Sequence, residues 1–140
     1  QEEEPVKAIF VTFNEYSDLD KDDQDDPLRA LLLRISFEGL KTRHDDGANN
    51  RAKFAEFRKR NFSFSPSDIM EWLGDTPALL VVGELNNLDE LAVPGSTKAA
   101  EFARFVKDYF LSPYGRYFIF STHMLSTLKC LGVYGLLWCK

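Results

Sequence analysis

A chain of 140 residues that is 44% apolar and 28% charged, with 8 Gly and 6 Pro, has the composition of one ordinary globular domain, which excludes collagen-like, mucin-like and wholly disordered classes. Its 12 Phe, 5 Tyr and 2 Trp supply enough bulk for a core without disulfide or metal staples. A net charge of −5 argues against general attraction to nucleic acid or an anionic membrane, and two cysteines are too few for a disulfide framework or a four-ligand zinc set, so a reducing, intracellular setting is expected.

The chain starts with an acidic segment, Gln1 to Glu4, which is not a secretory signal, and without an initiator Met, so a piece of a longer protein is expected. Val6 to Phe13 is a short β-branched and aromatic run closed by Asn14, which predicts a strand buried on both faces. Residues 15 to 26 carry seven acids against Lys21 alone and predict a solvated loop, with Asp26 and Pro27 placed as cap and first residue of a helix. Leu28, Leu31, Leu32, Ile35 and Leu40 recur at helical spacing, with Gly39 as the expected terminator.

After a polar stretch from Lys41 to Asn50, residues 51 to 60 hold five basic side chains and one acid with Phe54 and Phe57 three apart, an amphipathic helix. Ser65-Pro66-Ser67-Asp68 predicts a capped helix start, with Phe64 stapling onto Ile69. Ala78 to Val82 is a continuous apolar run ending in Gly83-Glu84, the pattern of a central parallel strand. A polar connection is expected from Leu85 to Gly95, then a helix from Thr97 to Leu111 stopped by Ser112-Pro113-Tyr114-Gly115. Arg116 to Phe120 is a third strand ending in Ser121-Thr122-His123, and a last helix runs from Met124 to about Cys130. Lys129 interrupts the apolar stretch from Tyr117 to Cys139, so no membrane span is predicted.

Strands alternating with helices predict a single α/β domain, a parallel sheet with right-handed crossovers and flanking helices in three layers. Ligands of such sheets collect at the carboxyl ends of the strands, which here carry Asn14, Glu84 and Ser121-Thr122-His123. A carboxylate one residue past a buried strand polarises a water, and a hydroxyl or imidazole on the neighbouring strand holds that water or senses a phosphate. Glu84 with Thr122 and His123 has that pattern. Ser121 and Thr122 equally suit a helix cap. His44, beside Asp45 and Asp46, reads as a surface histidine, and Cys130 and Cys139 as small apolar residues without a His at nucleophile spacing.

Leu79-Leu80-Val81-Val82-Gly83-Glu84-Leu85-Asn86-Asn87-Leu88 resembles the Walker B segment of the P-loop ATPase domain shared by trypanosomatid retrotransposon hot spot proteins and Crinkler-type effectors. Phe10 to Asn14 resembles the strand that follows the P-loop helix in that family, and Tyr117 to His123 resembles its sensor strand. The resemblance covers residues 6 to 125. It implies an ATPase in which Glu84 activates water, Ser121 or Thr122 contacts the γ-phosphate or that water, His123 supports them, and Asn14 lines the nucleotide. ATP and Mg²⁺ are the implied cofactors of the complete domain, and a nuclear address is implied with them.

Two departures bear on that implication. The Gly-x-x-x-x-Gly-Lys-Ser/Thr loop is absent, so the chain matches the part of the domain after it, lacking the first strand and P-loop; ATP and Mg²⁺ are not expected to bind this chain alone. The missing strand would pair beside Arg116 to Phe120, leaving that edge open to a missing upstream segment or a protein partner. Gly83 stands where the family has a magnesium-linked Asp. The alternatives are a degenerate, non-hydrolysing protein-interaction module, which Gly83 favours, and a nucleic-acid-binding domain using the basic face of residues 51 to 60. Calcium binding by the acidic segment is not expected, because it lacks the Gly and terminal Glu of an EF-hand loop.

Overall fold

The computed structural model describes residues 5–13, 19–40, 50–60, 64–133 and 135. Its centre is a parallel sheet of β1 (Lys7–Thr12), β2 (Ala78–Gly83) and β3 (Arg116–Phe120) in the order β1-β2-β3. Ile9 pairs with Leu80 and Leu80 with Phe118, while Phe10 pairs with Val81 and Val81 with Ile119. With all three strands parallel and in register, their carboxyl ends share one edge.

The helices are α1 (Lys21–Asp25), α2 (Pro27–Leu40), α3 (Asn50–Lys59), α4 (Pro66–Leu73), α5 (Thr97–Phe110) and α6 (Leu125–Val133). Local chemistry sets several of their starts. The Asp26 carboxylate accepts from the Arg29 N–H at the head of α2, and Pro27 opens that helix. Ser65 and Asp68 form the reciprocal capping box of α4, and Ser96 caps α5 by accepting from the Ala99 N–H at 3.1 Å. On α5, Phe102, Phe105, Val106 and Phe110 face the sheet at helical spacing and are buried.

The strands are buried on one face only, which corrects the expectation of a first strand covered on both. Ile9, Val11, Leu80 and Val82 lie in the core with α2 and α5, each contributing about 1.5–3 kcal/mol by leaving water. On the opposite face Phe10 is 63% exposed, Tyr117 50% and Ile119 55%. The cause is topological. Both crossovers step in the same direction across the sheet, and right-handed connections stepping one way lay their helices on one side. The described residues therefore form two layers rather than three.

Other segments also differ from expectation. The acidic stretch is not all loop: Asp20 and Asp23 make a capping box for α1, and Asp23 is buried against Arg34 and Arg58. Leu85 to Gly95 is not a polar connection either. It holds two 3₁₀ turns, Leu85–Asn87 and Asp89–Ala92, whose Leu85, Leu88 and Leu91 recur every third residue and are fully buried. Gly39 does not terminate α2; a Cβ there would meet the Trp72 ring at 2.9 Å, so the glycine gives the indole its place. The last helix extends to Val133. No helix among the described residues is long and apolar enough to cross a membrane.

Candidate functional site at the carboxyl edge of the sheet

The main chain turns sharply at the end of β2. Glu84 has φ 61° and ψ 44°, and among the described residues it is the one non-glycine with positive φ. A left-handed conformation costs an L-residue about 1–2 kcal/mol, so surrounding bonds must hold it. The Glu84 N–H donates to Ser121 Oγ at 3.1 Å, the Leu85 N–H donates to the Ser121 carbonyl at 3.0 Å, and the Asn87 N–H donates back to the Glu84 carbonyl at 3.1 Å. Ser121 thus locks the turn from the end of β3.

The carboxylate that this turn aims outward meets an imidazole. Glu84 Oε2 lies 3.1 Å from His123 Nε2 and Oε1 lies 3.2 Å from it, with the Glu84 side chain 32% exposed and that of His123 73%. Both are open to water at the rim. Thr122 Oγ1 accepts the Met124 N–H at 3.2 Å, one residue before α6 begins. Its hydroxyl braces the loop rather than capping the helix itself.

Three of the expected residues, Glu84, Ser121 and His123, therefore share hydrogen bonds at the ends of β2 and β3, and Thr122 lies between the last two. Asn14 falls outside the described residues, as do His44 and Cys139. Its neighbour Phe13 reaches the same edge, where its N–H donates to the Gly83 carbonyl at 3.0 Å. Cys130 is half-buried and carries no disulfide, and burial pushes its thiol up from the usual range, which suits an unreactive apolar neighbour.

Residues that the sequence reading passed over complete the edge. Thr12 stands beside Gly83: a Cβ on Gly83 would lie 3.5 Å from Thr12 Oγ1 and 3.8 Å from Ser121 Oγ, both ordinary contacts. Asn86 and Asn87 brace the turn after Glu84. Their signal was the paired amides three and four residues past the end of β2, in a turn where Asn bonds local main chain.

Magnesium on a nucleotide takes one or two carboxylates plus phosphate oxygens rather than an all-protein cage, and among the described residues Glu84 supplies the carboxylate at this edge. No group of three or more His, Cys, Asp or Glu side chains gathers among them, and the position facing Thr12 and Ser121 is a glycine.

The basic face considered for nucleic acid is partly occupied by the chain's own acids. Arg58 bridges Asp20 at 2.7 Å and Asp23 at 2.9 Å, and its guanidinium lies over the Phe54 ring. Arg34, buried between the Phe13 and Phe54 rings, shares Asp23 Oδ2 with Arg58 at 3.1 Å and donates to Oδ1 at 3.3 Å. Lys59 and Arg60 remain exposed.

Comparison with protein-family models, with curated proteins and with solved structures finds no match to this chain.

Proposed function

We propose that this chain is the water-activating and sensor portion of a nucleoside triphosphatase domain of the retrotransposon hot spot and Crinkler-like kind, completed by a phosphate-binding segment outside these residues. The observation that carries the proposal is the pairing of Glu84 with His123 at 3.1 Å on the carboxyl edge of a parallel sheet, beside the hydroxyls of Ser121 and Thr12. Glu84 orients the attacking water and takes its proton, His123 holds the carboxylate in place, and Thr122 or Ser121 contacts the water or the terminal phosphate. The resemblance also assigns Asn14, two positions past β1 in the sequence, to the nucleotide.

The bare sheet face supports the same reading. The phase of the ladder, set by Ala78 N–H on Gly115 and Ser121 N–H on Val82, turns the main-chain groups of Phe118 and Phe120 to the outer edge of β3. A further parallel strand fits there. If that strand led on to β1, its crossover would run opposite to the other two and lay its helix over Phe10, Val81 and Ile119. One strand–loop–helix unit would thus pair the open edge, cover the apolar face and bring a phosphate-binding helix N-terminus to the Glu84 edge.

A second reading, an association module that does not hydrolyse nucleotide, is favoured by Gly83, which contributes no carboxylate where a magnesium ion needs one. The test is phosphate release from ATP or GTP with magnesium by the intact protein carrying its phosphate-binding segment. Turnover supports the first reading. Nucleotide retained without turnover supports the second.

A further inference from the structure

Asn86 and Asn87 form a one-way chain of side-chain hydrogen bonds across the ends of all three strands. The His123 main-chain N–H donates to Asn86 Oδ1 at 3.1 Å, Asn86 Nδ2 donates to Asn87 Oδ1 at 3.3 Å, and Asn87 Nδ2 donates to the Phe13 carbonyl at 2.5 Å. A main-chain N–H only donates and a carbonyl only accepts, so the two ends of the chain dictate the orientation of both amides. The Asn87 carbonyl in turn accepts from Gln24 Nε2 at 2.7 Å, and Gln24 Oε1 accepts the Asp89 N–H at 2.9 Å, which ties the chain to α1.

Glu84 is enclosed by this arrangement on its main-chain side, while its carboxylate partner is not. The His123 ring is largely solvent-exposed, and the loop that carries it is joined to the Glu84 turn by Ser121 on one side and by Asn86 on the other. We propose that Asn86 is a positioning residue for the Glu84–His123 pair: by holding the His123 main chain against the turn, it sets the separation at which imidazole and carboxylate meet. The proposal deepens the function proposed for Glu84 and rests on that reading. An exposed pair of this kind has little burial to hold it, so its geometry depends on the few bonds that fix its two main-chain ends.

The experiment is nuclear magnetic resonance on this chain, reading the cross-peak between the His123 ring and the Glu84 side-chain protons together with exchange of the His123 amide. In Asn86→Ala the cross-peak is lost and the His123 amide exchanges about tenfold faster or more, while the amides of Leu80 and Val82 keep their protection. Asn86→Gln, which keeps the amide but moves it by one methylene, loses the cross-peak without removing a polar group. Asn86→Asp, which keeps the acceptor for the His123 N–H, retains it. A cross-peak unchanged in both Asn86→Ala and Asn86→Gln, with the core protected, overturns the proposal. Because the readout is the geometry of the pair, failure of the function proposed for Glu84 appears separately, as absence of phosphate release from the intact protein with the cross-peak present.

Discussion

Glu84 occupies the one left-handed non-glycine position among the described residues, and it does so where its carboxylate meets His123. Strain held at a strand end by Ser121 and Asn87 is the kind of local cost that a site tolerates and a scaffold position does not. Glu84→Gly should therefore leave the protein as stable as before or raise its stability by up to about 1 kcal/mol, because glycine enters this region freely. Urea unfolding checks this, and a loss greater than about 1 kcal/mol would show that the Glu84 side chain holds the turn. Gly83→Asp should fold, since its Cβ finds only ordinary contacts with Thr12 and Ser121. Gly39→Ala is the opposite case. Its methyl meets the far edge of the Trp72 ring at 2.9 Å, and the strain of about 1–3 kcal/mol less about 1 kcal/mol of improved helix propensity should leave a net loss of up to about 2 kcal/mol in the same measurement.

At the scale of elements, the acidic helix α1 is held to the basic helix α3 by Arg58 on Asp20 and Asp23, and to α2 by Arg34 on Asp23. The Arg34–Asp23 pair is buried, and Arg34→Ala leaves the Asp23 carboxylate with Arg58 as its remaining cation, so the lost charged hydrogen bonds should cost about 1.5–3 kcal/mol, read by thermal or urea unfolding. Burial alone would raise the Asp20 carboxyl, but the Asp23 N–H and the Arg58 guanidinium outweigh it and hold the group below its ordinary range. A carboxyl lowered in the folded state adds stability above its unfolded pKa, near ~3.9, and loses it as pH falls through the folded value. Asp20→Asn should flatten that acid limb and cost less than about 1 kcal/mol at neutral pH, because the side chain is partly exposed. An acid limb unchanged in the variant would remove Asp20 from the linkage.

The same elements explain what the sequence made legible. Ser65, Asp68 and Asp26 were readable because a cap acts within three residues of itself. The helix α1 was not, because the arginines that neutralise Asp23 come from 11 and 35 residues away. The buried Leu85, Leu88 and Leu91 carried a period of three that reads as a polar connection unless the 3₁₀ spacing is sought.

Across the whole molecule the main feature is a parallel sheet with one covered face and one open face. Strand bounds were legible from apolar runs with polar ends, and the convergence of Glu84, Ser121 and His123 followed from the strands being parallel. The open face was not legible, because Phe10, Val81 and Ile119 have the composition of a strand buried on both sides; what uncovers them is strand order, which no local pattern encodes. In this chain without the proposed covering segment, this face should bind an environment-sensitive apolar dye, and Phe10→Ser with Ile119→Ser should abolish most of the signal while changing stability by less than about 1 kcal/mol. Dye binding unchanged in that double variant would place the apolar surface elsewhere. The proposed function has the Glu84 edge activate water against a nucleotide phosphate. Its most direct test is single-turnover phosphate release by the intact protein carrying a phosphate-binding segment, with bound nucleotide held equal for the native protein and Glu84→Gln. A fall of about 10²-fold or more in the cleavage rate, with nucleotide binding retained, is the predicted result; equal rates in the two proteins would contradict it.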